Sequence, residues 1–256
     1  MYDFLNTFTL KRALKQNAEH MHLKVLKCCA STNTLARQIA IEHPNRTALI
    51  VAHQQTAGRG RLGRQFYSPK GAGIYFSLLF PLAHTLLSSI SLTCAASVAV
   101  MRAIRSTTGL QTEIKWVNDI LLDEKKVCGI LTEAVTVNDS TALIIGIGIN
   151  LRPAEFPPEL TDIAGSLNQS KLPRSALIAA ILSELLPMLN HPQNHDWLED
   201  YREHSCVIGH PLTRIKQGEA RFCIAESISE DGGLTVRYTD GSTETLCSGE
   251  ISIRQA

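Results

Sequence analysis

The chain has few of the features that would place it quickly. Its seven cysteines are an odd number, no two stand at C-x-x-C spacing, and only Cys28 and Cys29 lie close together. Neither a zinc site nor a disulfide framework is indicated, and buried thiols in a reducing cytoplasm are the expected setting. His20 and His22 flank Met21 but bring no third ligand, so they read as solvated surface. Long apolar runs are also missing. The longest stretch free of Asp, Glu, Lys, Arg and His, Thr85 to Met101, contains six Ser or Thr residues, whereas a membrane span needs about 20 predominantly apolar residues. Met1-Tyr2-Asp3-Phe4-Leu5 lacks the basic-then-apolar order of a signal peptide. With a net charge of +1, no global basic excess points to a nucleic acid.

The most informative absence is local. From His43 to Thr112 there is no Asp or Glu, yet the stretch carries Arg46, Arg59, Arg61, Arg64, Lys70, Arg102 and Arg105. Three of these arginines lie in one segment, Gly58 to Arg64, GRGRLGR. Glycines cost backbone entropy, and clustered guanidinium groups repel one another. Arginine forks suit carboxylate and phosphate. Taken alone, the segment reads either as an anion-binding loop or as a mobile surface loop with no ligand.

Gly58, Gly60 and Gly63 formally match G-x-G-x-x-G. That fingerprint should open a helix and be followed by an acid about 20 residues on. Here Tyr67-Ser68-Pro69 and Gly71 follow instead, in acid-free sequence, so a dinucleotide fold is excluded. No G-x-x-x-x-G-K-[ST] occurs, which excludes a P-loop.

At 256 residues the chain is long enough for one large domain, or one large and one small. Leu23–Cys29 reads as a strand. Ser31-Thr32-Asn33 offers helix N-cap chemistry, with a helix to Glu42 ended by Pro44. Ala48–Ala52 and Ile74–Phe80 read as buried strands, and a helix is expected from Leu87 to Ser106. Short strands follow at Glu113–Lys115 and Ile120–Leu122. A turn at Asp123-Glu124-Lys125 leads to strands Val127–Val135 and Ala142–Ile149. The spacing of Leu177, Ile178, Ile181, Leu182, Leu185 and Leu186 marks an amphipathic helix, and a shorter one spans Trp197 to His204. From Cys206 onward, short β-type runs are separated by Gly-His-Pro (209–211), Gln217-Gly218, Asp231-Gly232-Gly233 and Asp240-Gly241, the pattern of a small antiparallel barrel. The expected division is residues 1–205 and 206–256.

Two further clusters bear on chemistry. Lys115-Trp116-Val117-Asn118-Asp119 joins two strands, and Lys125-Lys126-Val127-Cys128-Gly129-Ile130-Leu131 follows. A lysine, an amide and an acid at a strand junction suit phosphate and a metal ion, or are turn chemistry beside a solvated hairpin tip. Gly146-Ile147-Gly148-Ile149-Asn150 leaves room for a flat ligand, or is a core strand relieved by glycine.

The ordered set of Ser31-Thr32-Asn33, Gln55-Thr56-Ala57 with GRGRLGR, Tyr67-Ser68-Pro69, KWVNDILLDEKKVCGILTE, GIGIN and Gly249-Glu250-Ile251-Ser252 resembles the biotin–protein ligases, the biotin–[acetyl-CoA-carboxylase] ligase family. The likeness runs from about Leu23 to Arg254. It implies an α+β fold: a mixed β-sheet catalytic domain with flanking helices, related to class II aminoacyl-tRNA synthetases, plus a C-terminal SH3-like barrel. Some members carry an N-terminal helix-turn-helix domain. Only about 22 residues precede the likeness here, too few for one, so the short, catalytic form is expected. Three positions depart from the family pattern. Val117 stands where proline is usual, Cys128 where alanine is common, and Phe66 where tryptophan is usual. Phe66 keeps the aromatic face and loses the indole N–H.

The resemblance implies that biotin's carboxylate attacks the α-phosphate of ATP, and that a lysine of a biotin carboxyl carrier protein then takes the biotinyl group. Ser31, Thr32, Asn33 and Gln55 would bind the ureido ring and neighbouring atoms. Arg59, Gly60 and Arg61 would clamp carboxylate and adenylate, and Lys126 would contact the carboxyl oxygen. Gly129 and Leu131 would line the valeryl pocket. Lys115, Asn118 and Asp119 would serve the phosphates and Mg²⁺, with Asp119 as the metal ligand. Phe66 and Asn150 would lie near the adenylate. Arg61, Lys115, Lys126 and Asp119 form the expected catalytic set. ATP and biotin are the implied substrates, and neither nucleic acid nor membrane is an expected partner. A homodimer through the sheet edge is left open. Two alternatives also remain open: a lipoate–protein ligase, and a non-catalytic biotin-binding module. Nucleic-acid binding by the arginine loop lacks interleaved aromatic platforms.

Overall fold

The computed structural model describes residues 4–82, 88–216, 219–247 and 250–253. The expected turn at Gln217-Gly218, the helix start at Leu87, and Gly249 and Arg254 of the family likeness lie outside them.

Helix α1 (Thr7–Leu14) comes first and was not legible in the sequence. It is held by a reciprocal cap, in which Asn6 Oδ1 accepts from Thr9 N and Thr9 Oγ1 accepts from Asn6 N; this satisfies two otherwise unpaired donors of the first turn. Only Leu10 and Leu14 of the helix are buried, too few for a readable stripe.

Strand β1 (His22–Leu26), helix α2 (Thr32–Glu42), strands β2 (Ala48–Ala52) and β3 (Gly73–Leu82), and helix α3 (Ser89–Thr108) follow. Next come β4 (Glu113–Lys115), β5 (Asp119–Leu122), β6 (Lys125–Val137) and β7 (Ser140–Asn150), then α4 (Arg174–Asn190) and α5 (Trp197–Glu203). β1 stops at Leu26 rather than Cys29, because the chain turns there to start α2. Lys125 belongs to β6, not to the turn. The reversal is made by Asp123 and Glu124, both at positive φ, as a tight two-residue hairpin requires. α3 ends where Gly109 adopts φ 75° and its N–H reaches Arg105 O, a left-handed stop that glycine adopts without strain.

Seven strands form one sheet in the order β1-β2-β3-β7-β6-β5-β4. β1 and β2 run parallel, and the other neighbours are antiparallel. The alternation of β7 divides the two faces. Leu143, Ile145, Ile147 and Ile149 join α3 and α4 in the main core. Ala142 and Ile144 join Ala36 and Ala40 of α2 in a smaller cluster on the other side. Each fully buried Ile or Leu contributes roughly 1.5–3 kcal/mol, so this large apolar face fixes the register of the central strands. The opposite face, only partly covered by α2, is left for other work.

After α5, strands β8 (Pro211–Lys216), β9 (Glu219–Ile228), β10 (Leu234–Tyr238), β11 (Thr243–Leu246) and β12 (Glu250–Ile253) form a second sheet, ordered β11-β10-β9-β8-β12 and antiparallel throughout. Among the described strands, no pairing closes β11 onto β12. Its inward residues Leu212, Ala225, Ile228 and Val236 share the main core with the first sheet. Trp116 Nε1 donates to Gly232 O at 3.0 Å, and two nitrogens of Arg202 donate to Ile228 O at 3.0 and 2.7 Å. The fold is α+β, with the expected strand-rich C-terminal region joined to α3, α5 and the β4–β5 junction.

Candidate active site

The less-covered face of the sheet supplies a floor of small side chains. In register, Gly129 lies opposite Gly148, and Leu131 opposite Gly146. Tyr75 and Ser77 of β3 border the same two glycines. A β-carbon on Gly148 would stand 2.5 Å from the Phe66 ring, and one on Gly146 would stand 2.0 Å from Asn33 Oδ1. The space read from the sequence as room for a flat ligand is therefore held in this structure by Phe66 and Asn33.

The N-terminus of α2 stands at one end of this floor. Ser31 occupies the N-cap position, but its side chain makes no capping bond, a correction to the sequence expectation. Gln55 caps the helix instead. Its Oε1 accepts from Thr32 N at 2.8 Å and lies 3.2 Å from Thr32 Oγ1. Gln55 can reach α2 because the backbone after β2 runs beside that after β1, with Thr56 N donating to Cys29 O and Ala57 N to Ala30 O. The buried Ser31 hydroxyl makes no hydrogen bond with another described residue, so it keeps its capacity for a ligand. Ser77 Oγ donates to Asn33 Oδ1 at 2.6 Å and lies 2.8 Å from Thr32 Oγ1.

The GRGRLGR loop is folded back on itself. Phe66 N donates to Gly58 O, and Gly60 N to Arg64 O. Its tip, Leu62, sits at φ 55° and is exposed. Two arginines tie the loop down differently. Arg61 NH1 donates to Asn118 Oδ1 at 3.1 Å. Arg59 makes a two-point contact with Glu133, NH2 to Oε1 at 3.1 Å and NH1 to Oε2 at 3.2 Å. Phe66 covers the floor between them, edge-on to Tyr75. Gln55 Nε2 donates to Ser68 Oγ, which donates to Phe66 O, so the loop's return strand is also fastened to the α2 terminus.

At the other end of the floor, Lys126 Nζ lies 2.6 Å from Asp119 Oδ1, in a close charge contact without hydrogen-bond alignment. Lys115 is paired in register with Asp119, and its ammonium has no hydrogen bond or ion pair among the described residues. Asn118 Nδ2 donates to Ile130 O at 2.8 Å, which aims its carbonyl at Arg61. Asn150 is turned away from the loop: its Nδ2 donates to Gly165 O at 2.9 Å, fastening the segment after β7. Beyond Phe66 and Asn150, an open cleft of about 700 Å³ is bordered by Tyr67, Lys70, Arg152 and Glu155.

Glu133 and Ser77 were not singled out from the sequence, and Ser68 stood there only as part of Tyr67-Ser68-Pro69, with no role. Glu133 shares the alternation of Gly129 and Leu131 along β6, so the two-residue period was a usable signal. Burial alone would raise its carboxyl. Hydrogen bonds from Asn33 and Arg37, and the charges of Arg59 and Arg37, outweigh burial and hold it below the usual carboxylate range. Cys128, on the core side of the same strand, has its thiol pushed far up by burial and takes no part.

The arrangement brings cations, amides and the hydroxyls of Ser31, Thr32 and Ser77 together over a shallow floor, suited to an anion with an uncharged polar head. The sequence pattern of the Biotin/lipoate A/B protein ligase family matches residues 25–150, a span that contains every candidate residue. The chain is 40% identical over 184 residues to BirA, a bifunctional ligase/repressor of Bacillus subtilis (strain 168). That match takes in 70% of this chain and 57% of the relative's length. It is 35% identical over 229 residues to the biotin–[acetyl-CoA-carboxylase] ligase of Paracoccus denitrificans, covering 82% of this chain and 92% of that protein. Among solved structures it resembles the biotin protein ligase of Aquifex aeolicus in complex with biotin and ATP, with a TM-score of 0.75 and 28% identity over 92% of this chain and 99% of the other. Within the wider ligase class, the chain belongs to the biotin–protein ligase family.

Proposed function

We propose that the protein activates biotin with ATP as biotinyl-5′-AMP and transfers the biotinyl group to a lysine of a biotin carboxyl carrier protein. The observation that carries this reading is the convergence of three separate segments, the α2 terminus, the arginine loop and the β4–β6 junction, on one glycine floor. A lipoate ligase has less support, since the relatives above are named for biotin.

The roles follow from chemistry. Ser31, Thr32, Asn33 and Gln55 offer both donors and acceptors, which a ureido group needs. Gly129 and Leu131 form the apolar wall for a valeryl chain. Joining a carboxylate to a triphosphate sets anion against anion, so fixed positive charge must carry much of the step. Arg61, Lys115 and Lys126 supply it, with Arg59 and Gly60 shaping the loop around the carboxylate. Phe66 and the backbone near Asn150 flank the adenylate, and the loop shields the mixed anhydride from water.

ATP enters this scheme as its magnesium complex. Among the described residues no group of three or more His, Cys, Asp and Glu could hold a metal alone. Mg²⁺ is commonly held by one or two carboxylates plus substrate phosphates, and Asp119, opposite Lys115 at the β4–β5 junction, is the carboxylate that would hold it there. The ion would neutralise phosphate charge. The second sheet is read as an SH3-like barrel, the first as the sheet of a class II synthetase-like domain, with the division at Ser205. Among the described strands β6 pairs on one side only beyond Ile130, an edge that suits a homodimer. The need for ATP and a carrier protein suits work in the cytoplasm; no described helix is long and apolar enough to cross a membrane. The test is transfer of biotin to a purified carrier domain with Mg-ATP, beside pyrophosphate release with biotin or lipoate. Release with lipoate alone would overturn the reading.

A further inference from the structure

Arg61 and Arg59 of the loop meet different partners. Arg61 meets a neutral amide, Asn118 Oδ1, at 3.1 Å. Arg59 meets a full negative charge through both terminal nitrogens. The Glu133 side chain is only 14% exposed, against 44% for Arg59, so the fixed end of this pair belongs to the sheet and the movable end to the loop. Glu133 has further work. Its Oε2 accepts from Asn33 Nδ2 at 2.8 Å, and its Oε1 from Arg37 NH2 at 3.1 Å. With Ser77 donating to Asn33 Oδ1, the Asn33 amide is held at both ends and cannot flip.

We propose that Glu133 is a positioning residue that couples the arginine loop to the α2 terminus: it tethers the loop through Arg59 and orients Asn33 at the same time. Arg59 is then a tether whose charge is already matched by Glu133. The coupling is geometric. Asn33 and Arg59 share one carboxylate, so a shift of either changes the seat of the other. The loop is held near its working place before any ligand arrives, which reduces the ordering left for substrate binding to supply.

The assignment of Asn33 to biotin rests on the function proposed above, but the tether does not, and two readouts separate them. The first uses no substrate. Trypsin cuts after arginine, so the rate of cleavage at Arg59, Arg61 and Arg64 in the ligand-free protein reports how firmly the loop is held. Glu133→Gln keeps the shape and removes the charge. It is expected to raise cleavage after Arg61 roughly tenfold or more, as loss of a two-point charged contact implies. Arg37→Ala, which removes a Glu133 partner outside the loop, should change it little. The second readout is pyrophosphate release. Glu133→Gln should raise KM for biotin about tenfold, with kcat reduced much less, because saturating ligand closes the loop through its other contacts.

Arg59→Met tests the tether from its exposed end should Glu133→Gln fail to fold. It should open the loop to trypsin equally, and the double variant should be no more sensitive than either single one. Cleavage rates and biotin KM unchanged in both single variants would overturn the proposal, as would fully additive effects in the pair. A wild-type protein that releases no pyrophosphate with biotin would overturn the proposed function instead, leaving the trypsin result to decide the tether.

Discussion

Gly146 lies directly beneath Asn33, so close that a β-carbon there would stand 2.0 Å from Asn33 Oδ1 and 2.8 Å from its Cγ. Asn33 cannot step aside, because Ser77 and Glu133 hold its amide from both ends. Gly146→Ala should therefore act on the site as well as on stability. Overpacking of this kind costs about 1–3 kcal/mol. Thermal melting should show a protein that still folds at lower Tm, and KM for biotin should rise by roughly tenfold or more, as expected when a polar partner is displaced.

Phe66 covers the neighbouring glycine, and here the neighbour can yield. A β-carbon on Gly148 would meet the edge of a ring rather than an anchored amide. Gly148→Ala should leave Tm nearly unchanged and push the ring off the floor. Phe66→Ala removes it outright. Both should weaken the shield over the adenylate, which pyrophosphate release in the absence of acceptor would record as a several-fold gain in futile turnover.

Much of the frame could be read from the chain. The apolar run Ala142–Ile149, the helical spacing of Leu177 to Leu186 and the glycine-punctuated C-terminal strands each carry a period that burial imposes. Helix α1 could not be read, because only two of its residues are buried and its cap is an Asn–Thr reciprocity rather than the Ser/Thr–Glu pattern. Ser31 was read as a cap from its residue type, whereas the bond comes from Gln55, brought near by parallel chain segments. The loop's positive charge was legible and its partner was not. Nothing local to GRGRLGR points to Glu133, which meets Arg59 only through the register of β6 in the sheet.

Glu133 also sets an expected pH dependence. Its folded-state pKa lies below the usual value, so it contributes stability that is fully present above the unfolded pKa of about 4.3. That contribution is lost as pH falls through the lower folded value. The difference in Tm between wild type and Glu133→Gln should be constant from neutral pH down to about 5, and should shrink below that. A difference that stays constant through pH 3 would mean that the charge of Glu133 is not what stabilises the fold.

The cysteines should divide by burial. Cys28 and Cys247 are exposed. Burial pushes Cys29 and Cys206 up to about 11 and Cys94 up to about 12, which starves them of the reactive thiolate. Alkylation of the native protein at pH 8, followed by peptide mass mapping, should label Cys28 and Cys247 first and leave Cys94, Cys128 and Cys223 unmodified until the protein unfolds. Pyrophosphate release should survive the fast phase, because neither exposed thiol is among the floor residues.

Lys126 and Arg61 should fail in separable ways. Lys126 Nζ is paired with Asp119 over Gly129, so Lys126→Met removes a charge at the site and strands a half-buried carboxylate beside it. Asp119 would then repel both incoming anions. Adenylate formation should fall by roughly 100-fold or more, the scale of losing one preorganised electrostatic contact, with weaker binding of biotin as well. Arg61→Ala removes the donor to Asn118 Oδ1. Its loss should appear mainly in kcat, by a similar factor, with a smaller loss of affinity for biotin alone, measured by calorimetry without ATP, than Lys126→Met shows. If the two variants showed the same pattern, with biotin binding and turnover lost in equal measure, Arg61 would have no role distinct from holding the loop, and the division of labour between Arg59 and Arg61 would be wrong.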